Sequence, residues 1–488
     1  MRDLLARYLA AVADPGSGDV TRFETFGTLA GAGLNGAFHT WLQGERERTD
    51  QNLGPRFERT LRVGDREWFA GSDGDVREFT GLLLRRARTE RFIDSGDFAK
   101  HPERCELRER TIVAGRQAFA IDVSAERGEV ETVYLDRATG LIDRVAYDDD
   151  DGRATIDFSD WRDVEGHRFP FHVVASDGDH AYDTVQQTTL VDVHPAIDPA
   201  VFAPLVPRYI DMAAPETVPL DVRDGHLFVT VRIAGRSYVF LVDSGAQNVV
   251  IDKRVAAQLG LSPVGALEAS GATRTGGLQI APVAELDVGT GRMRDFVATT
   301  IDLAASTGGA FHIDGILGFP FFASALVKLD PAHRTMTLGP PGSFAPSGEM
   351  VPLEIDRAFP EADVRLAGTP GHVIVDTGDA AELLLYRRFV DKHAGIVPYS
   401  QNGRNSYGIG GTTPSYRSSL DRLALGSFTL YHVETDVMLA RSGAFADRFD
   451  AGNVGFGILR NFVTTFDLAH AALYLERGAD FDDGRSRL

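Results

Sequence analysis

Along most of the chain, short runs of apolar or alternating apolar and polar residues are separated by turn signals, a pattern of strands rather than of helices. Phe23 to Leu29, Ala37 to Leu42 and Glu131 to Leu135 carry β-formers or alternate, so residues 20 to 195 are predicted to form successive strands. The run Gly31-Ala32-Gly33-Leu34-Asn35-Gly36 matches a glycine fingerprint for dinucleotides. It lies between two strand-like runs and opens no helix, so a hairpin turn is predicted. Two short helices are expected. Met1 to Leu9 is amphipathic, and Ile251 to Gly260 has Asp252 placed as N-cap and Gly260 as stop.

Two proline-rich joints interrupt this pattern. One runs from Pro195 to Pro219, and the other is Gly339-Pro340-Pro341-Gly342 followed by Pro346. Such stretches neither continue helices nor pair as central strands. They divide the chain into an expected β-rich domain at 1–207 and two further lobes at 216–342 and 348–488.

Those two lobes repeat one another. The first contains Tyr238-Val239-Phe240-Leu241-Val242-Asp243-Ser244-Gly245, and the second His372-Val373-Ile374-Val375-Asp376-Thr377-Gly378-Asp379. Each is an apolar strand ending in Asp-Ser/Thr-Gly. Downstream, Asp314-Gly315-Ile316-Leu317-Gly318 is matched by Gly452-Asn453-Val454-Gly455. Leu326 to Asp330 is then matched by Val463 to Asp467, and strands at Thr335 to Leu338 and Ala472 to Leu475 close the halves. Closely matched offsets over a whole half-domain mark an internal duplication.

The duplicated Asp243 and Asp376 suit one chemistry. Two carboxylates sharing a proton split their pKa values, so one takes a proton from water while the other donates to a carbonyl, as peptide hydrolysis requires. Ser244 and Thr377 are placed to brace the two loops. Gly245 and Gly378 let the chain turn where a side chain would crowd the opposite Asp.

Composition narrows the alternatives. The 488 residues are 43% hydrophobic and 25% charged with a net charge of −20, which argues against nucleic acid and anionic membrane surfaces as partners. No run of about 18 apolar residues occurs, so no transmembrane segment is predicted. The single Cys105, in a charged run, is read as an ordinary thiol. His167 and His172 flank Pro170, which excludes a helical metal pair. Asp148 to Gly152 fails the spacing of a calcium loop and is read as a solvated turn. No zinc-peptidase or serine-hydrolase motif is present, so neither a cofactor nor a metal is expected.

The paired Asp-Ser/Thr-Gly segments, each with a hydrophobic-hydrophobic-Gly partner downstream, resemble the pepsin-like and retropepsin-like aspartyl proteases. Two copies in one chain resemble the bacterial members over roughly residues 216 to 478. The resemblance implies a mainly β fold, a bilobal pair of barrels with a substrate cleft between them, and an aspartic endopeptidase acting on a peptide or protein. It also implies mobile flaps. The candidates are Ser270 to Gly277, with Gly271 and Gly276, and Tyr407 to Gly411, with Tyr407 and Gly410; two plain surface hairpins are the competing reading. This sequence departs from the family pattern at Asp379, where Ala or Ser is usual, and at Asn453, where an apolar residue is usual.

Val133 to Ile142 and Trp161 to Pro170 make the N-terminal region similar to outer-membrane lipoprotein-carrier (LolA-like) domains. That implies a curved antiparallel sheet with a few helices, an apolar ligand or partner there, and a periplasmic or secreted setting. No export signal is visible, and a cytoplasmic setting stays open. The rival reading of the whole chain is a non-catalytic envelope protein that holds peptide or lipid on a peptidase-like scaffold.

Overall fold

The computed structural model describes residues 1–17, 20–149, 152–270, 274–306, 313–401, 403–408 and 411–485. It is mainly β and divides into two compact units. Met1–Gly71 and Glu78–Leu205 form one; Ser72–Arg77 and Val206–Leu488 form the other.

The first unit is built on a long antiparallel sheet. It consists of two meanders. The first strand, Arg22–Gly31, pairs with its neighbour Leu34–Gln43 on one side and with the last strand, Thr184–Asp192, on the other. Ala32 and Gly33 turn the first hairpin at positive φ (50° and 72°), so the glycine fingerprint is a tight turn. The expected N-terminal helix spans Arg2–Val12 and buries Leu5 and Tyr8. These pack with Ile93, Phe98, Ile121, Val133 and Leu135. The 14-residue helix Gly81–Asp94 follows the first meander. Cys105 is half-buried, and burial pushes its thiol up to about 11, as for an unreactive thiol. His172 meets Gln187 at 3.2 Å between neighbouring strands. Asp150 and Asp151 of the acidic turn lie outside the described residues.

Among the described residues the second unit holds three sheets. One has the order Asp221–Arg223, His226–Ile233, Arg236–Val242, Gly315–Leu317, Val250–Asp252, Gly291–Ile301, Arg274–Val288, Val264–Ser270. Another repeats that order with Glu354–Asp356, Phe359–Leu366, Thr369–Asp376, Gly452–Gly455, Leu383–Tyr386, Phe428–Met438, Gly411–Leu425, Gly403–Gly408. The duplication read from sequence is therefore a duplication of topology. A six-stranded sheet draws three strands from each half. Its central pairing joins Leu326–Asp330 to Phe462–Asp467, through Val327 opposite Phe466. Glu216–Pro219, at the end of the first proline-rich joint, is an edge strand of this sheet, where a proline costs no ladder bond.

The helix predicted after the first Asp loop spans Lys253–Gln258. The Asp252 side chain accepts from Arg254 N, and Gly260 has φ 69°. One continuous core links both halves, from Phe240, Val242 and Leu317 to Val373, Val375 and Val454. No helix among the described residues is long and apolar enough to cross a membrane.

Candidate active site

Strand Arg236–Val242 delivers Asp243, and Thr369–Asp376 ends on Asp376. Both strands are apolar because they are buried on both faces: Phe240, Val242, Val373 and Val375 are fully enclosed on one face, and Leu241 and Ile374 are buried on the other. Each is flanked by a parallel partner, Gly315–Leu317 in the first half and Gly452–Gly455 in the second. The segments noticed downstream in the sequence are therefore the strands that press against the two Asp-bearing strands.

The loops are locked by reciprocal hydrogen bonds. Ser244 N donates to Thr377 Oγ1 (2.9 Å) and Thr377 N donates to Ser244 Oγ (3.0 Å). Ser244 Oγ donates to Val375 O (2.7 Å), and Thr377 Oγ1 to Val242 O (2.9 Å). All four bonds cross between the halves, and both hydroxyl residues are buried. A Cβ at Gly245 would collide with the Asp376 carboxyl, and one at Gly378 with that of Asp243. Each glycine therefore leaves the space its opposite carboxylate occupies.

The two carboxyl groups are hydrogen-bonded to each other, and Asp243 and Asp376 are half-buried residues, whereas Ser244 and Thr377 beside them are buried. Their surroundings differ. Asp243 Oδ1 accepts from Gly245 N (2.9 Å). Asp376 Oδ1 accepts from Gly378 N (2.9 Å) and Asp379 N (3.2 Å), while its Oδ2 accepts from Asn453 Nδ2 (2.9 Å). Burial raises both pKa values. For Asp243 the Asp376 charge adds to burial and holds it well above the usual carboxylate range. For Asp376 the donors from Gly378, Asp243, Asn453 and Asp379 oppose burial. Three donors on Asp376 against one on Asp243 favour the charge on Asp376.

Asn453 went unassigned in the sequence and was noted there only as a break in an apolar pattern. Its orientation is set by buried Tyr386, whose hydroxyl donates to Asn453 Oδ1 (2.6 Å), turning the amide nitrogen to Asp376. A polar residue where the first half has Ile316 was the available signal. Its partner Tyr386, 67 residues away, was not. Gln247 was also missed; its Nε2 donates to Arg357 O (2.7 Å), tying the first loop to the other half.

Asp379 is half-buried beside Asp376, to whose Oδ1 its backbone N donates. Its Oδ1 accepts from Ala381 N (2.9 Å), and its Oδ2 is buried without a hydrogen bond. Burial, then the Asp376 charge, lifts it to about 7. Of the flap candidates, Gly276 lies in strand Arg274–Val288 and Tyr407 in strand Gly403–Gly408, each part of a β-hairpin. Gly271 and Gly410 lie outside the described residues.

Comparison with known proteins adds the following. Residues 229–321 and 362–456 each match the aspartyl protease family model. No curated protein is significantly similar to the chain. Among solved structures, a LolA superfamily protein from Nitrosomonas europaea is similar at 11% identity and a TM-score of 0.30, covering 41% of this chain and 96% of that one. A DUF1329 family protein from Desulfovibrio piger is similar at 14% identity and a TM-score of 0.29, covering 41% and 95%. An outer membrane lipoprotein-sorting protein domain from Vibrio parahaemolyticus is similar at 10% identity and a TM-score of 0.27, covering 41% and 95%. Each half of the second unit is thus similar to the aspartyl proteases, and the chain carries two such halves in tandem.

Proposed function

We propose that the protein is an aspartic endopeptidase in which Asp243 and Asp376 hydrolyse peptide bonds through an activated water. The observation that carries this reading is the hydrogen-bonded pair of carboxyls on two half-buried residues, held by the Ser244–Thr377 bonds. The family match over both halves supports it.

In this mechanism water lies between the two carboxyls. Asp376, the ionised member, takes a proton from water as the oxygen attacks the substrate carbonyl carbon. Asp243 gives its proton to the carbonyl oxygen, which yields a neutral tetrahedral diol without a covalent enzyme intermediate. Asp376 then returns its proton to the amide nitrogen while Asp243 recovers one from a diol hydroxyl. The C–N bond breaks to leave a carboxylic acid and an amine, and the starting protonation is restored. The three donors on Asp376 stabilise the base as an anion without abolishing its proton affinity.

We take residues 216–342 and 348–488 as the two lobes, with the peptide lying between them. The hairpins that carry Gly276 and Tyr407 serve as candidate flaps, and Ser244, Gly245, Thr377 and Gly378 as the supporting loop residues. The test is cleavage of a denatured protein mixture between about pH 3 and pH 8 by the wild type, Asp243→Asn and Asp376→Asn. Loss of cleavage by about 100-fold or more in both variants is expected. Equal background cleavage in all three would favour the reading as a non-catalytic binder.

A further inference from the structure

The second half carries a cluster of ionisable side chains that the proposed chemistry does not use. Glu361 lies on strand Phe359–Leu366, His372 on the strand leading to Asp376, and Asp450 just before Gly452–Gly455. His372 Nδ1 is 3.2 Å from Glu361 Oε2 and 3.1 Å from Asp450 Oδ1. The three donor atoms lie within 4.8 Å of one another. The carboxylate side chains are almost fully buried, at 3% and 2% exposure, and the imidazole at 24% gives a way in from solvent.

Two observations separate this trio from an ordinary ion-pair network. First, Glu361 Oε1 is buried and accepts no hydrogen bond; its ion-pair partner Arg357, at 3.7 Å, also serves Asp356, Asp447 and Asp450. A single imidazole N–H is set against two carboxylates, which leaves one of them short of a donor. Second, the internal repeat shows that the fold does not need charge here. Phe228, opposite Leu241, corresponds to Glu361, opposite Ile374. Val239 corresponds to His372, each four residues before its Asp, and Ile313 to Asp450, each two residues before the glycine of the flanking strand. In the first half these three residues belong to one apolar cluster.

We propose that Glu361, His372 and Asp450 bind one divalent transition-metal ion of the zinc class. One imidazole nitrogen and two carboxylate oxygens form a donor set for such an ion. Around a tetrahedral ion with bonds of about 2.0–2.2 Å, ligand atoms stand about 3.4 Å apart, close to the two distances from Nδ1. Arg357 meets Asp450 Oδ2 at 3.3 Å from the far side and so orients the carboxylate from outside the donor set. The bound ion would tie the Asp376 strand to the segment leading to Asn453.

The inference does not depend on peptidase activity. The test is titration of chelator-stripped full-length protein with zinc chloride by calorimetry and thermal shift, with cobalt(II) absorption as the spectroscopic readout. Wild type should bind one equivalent, gain thermal stability and give the visible bands of a low-coordinate cobalt site. The near-isosteric Glu361→Gln and the variant His372→Ala should each weaken binding by about tenfold or more. Asp376→Asn should bind as wild type does. No binding by wild type, undiminished binding in Glu361→Gln and His372→Ala, or binding lost only in Asp376→Asn would each overturn the assignment.

Discussion

Asn453→Ala removes one of the three donors that hold Asp376 as an anion, and its effect can be sized from the structure. The amide lies 2.9 Å from Asp376 Oδ2, in a site that tightens electrostatic contacts through burial. A hydrogen bond to a charged group contributes about 1.5–3 kcal/mol, and one pKa unit corresponds to about 1.4 kcal/mol. Loss of the donor should therefore raise the lower ionisation of the pair by about one to two units. The sign follows from what is stabilised. The donor favours the anion, so without it Asp376 stays protonated to higher pH and the base is missing there. The acid limb of kcat/KM against pH, measured on a peptide substrate, should move upward while the alkaline limb stays near its wild-type place. Tyr386→Phe frees the Asn453 amide to turn and should move the same limb the same way by less. A uniform fall in rate with the acid limb unmoved would refute this role for Asn453.

Asp379→Asn should act on the opposite limb. The group ionises near pH 7, where its charge holds the remaining proton on Asp243, so its removal should bring the alkaline limb of the same profile to lower pH. Ser244→Ala and Thr377→Val should each cost about 1–3 kcal/mol in denaturant unfolding, because a buried N–H loses its acceptor. Their double variant should be less destabilised than the sum, by about 0.5 kcal/mol or more. In the first unit, burial lifts Glu131 to about 9, and neither of its carboxyl oxygens has a hydrogen bond. A carboxyl raised in the folded state costs nothing below its unfolded value, and the penalty grows as pH rises toward the folded one. Melting temperature should therefore fall between about pH 5 and pH 9, and Glu131→Gln should flatten that decline.

What the sequence made legible was local or repeated. Phe240 to Val242 and Val373 to Val375 are apolar because both faces of their strands are covered, and the two Asp-Ser/Thr-Gly turns and their flanking strands could be matched by comparing the halves. The N-cap at Asp252 and the turn at Ala32-Gly33 rest on interactions within a few residues. What stayed hidden depends on distant partners. Asn453 looked like a flaw in an apolar strand because neither Asp376 nor Tyr386 is near it in sequence. His372 passed as one polar residue heading a strand, since Glu361 and Asp450 meet it only once three strands are paired. Closure of the first meander onto Thr184–Asp192 is likewise a long-range pairing that no local pattern encodes.

The most direct test of the shared proton is a pH titration of isotope-labelled aspartate carboxyls by NMR in the wild type and in Asp376→Asn. The account predicts two ionisations from the wild-type pair, separated by more than about two pH units, with the upper one assigned mainly to Asp243 and moved toward ordinary values in the variant. Two independent ionisations within about one unit of the ordinary aspartate value, unchanged for Asp243 when Asp376 is replaced, would contradict it.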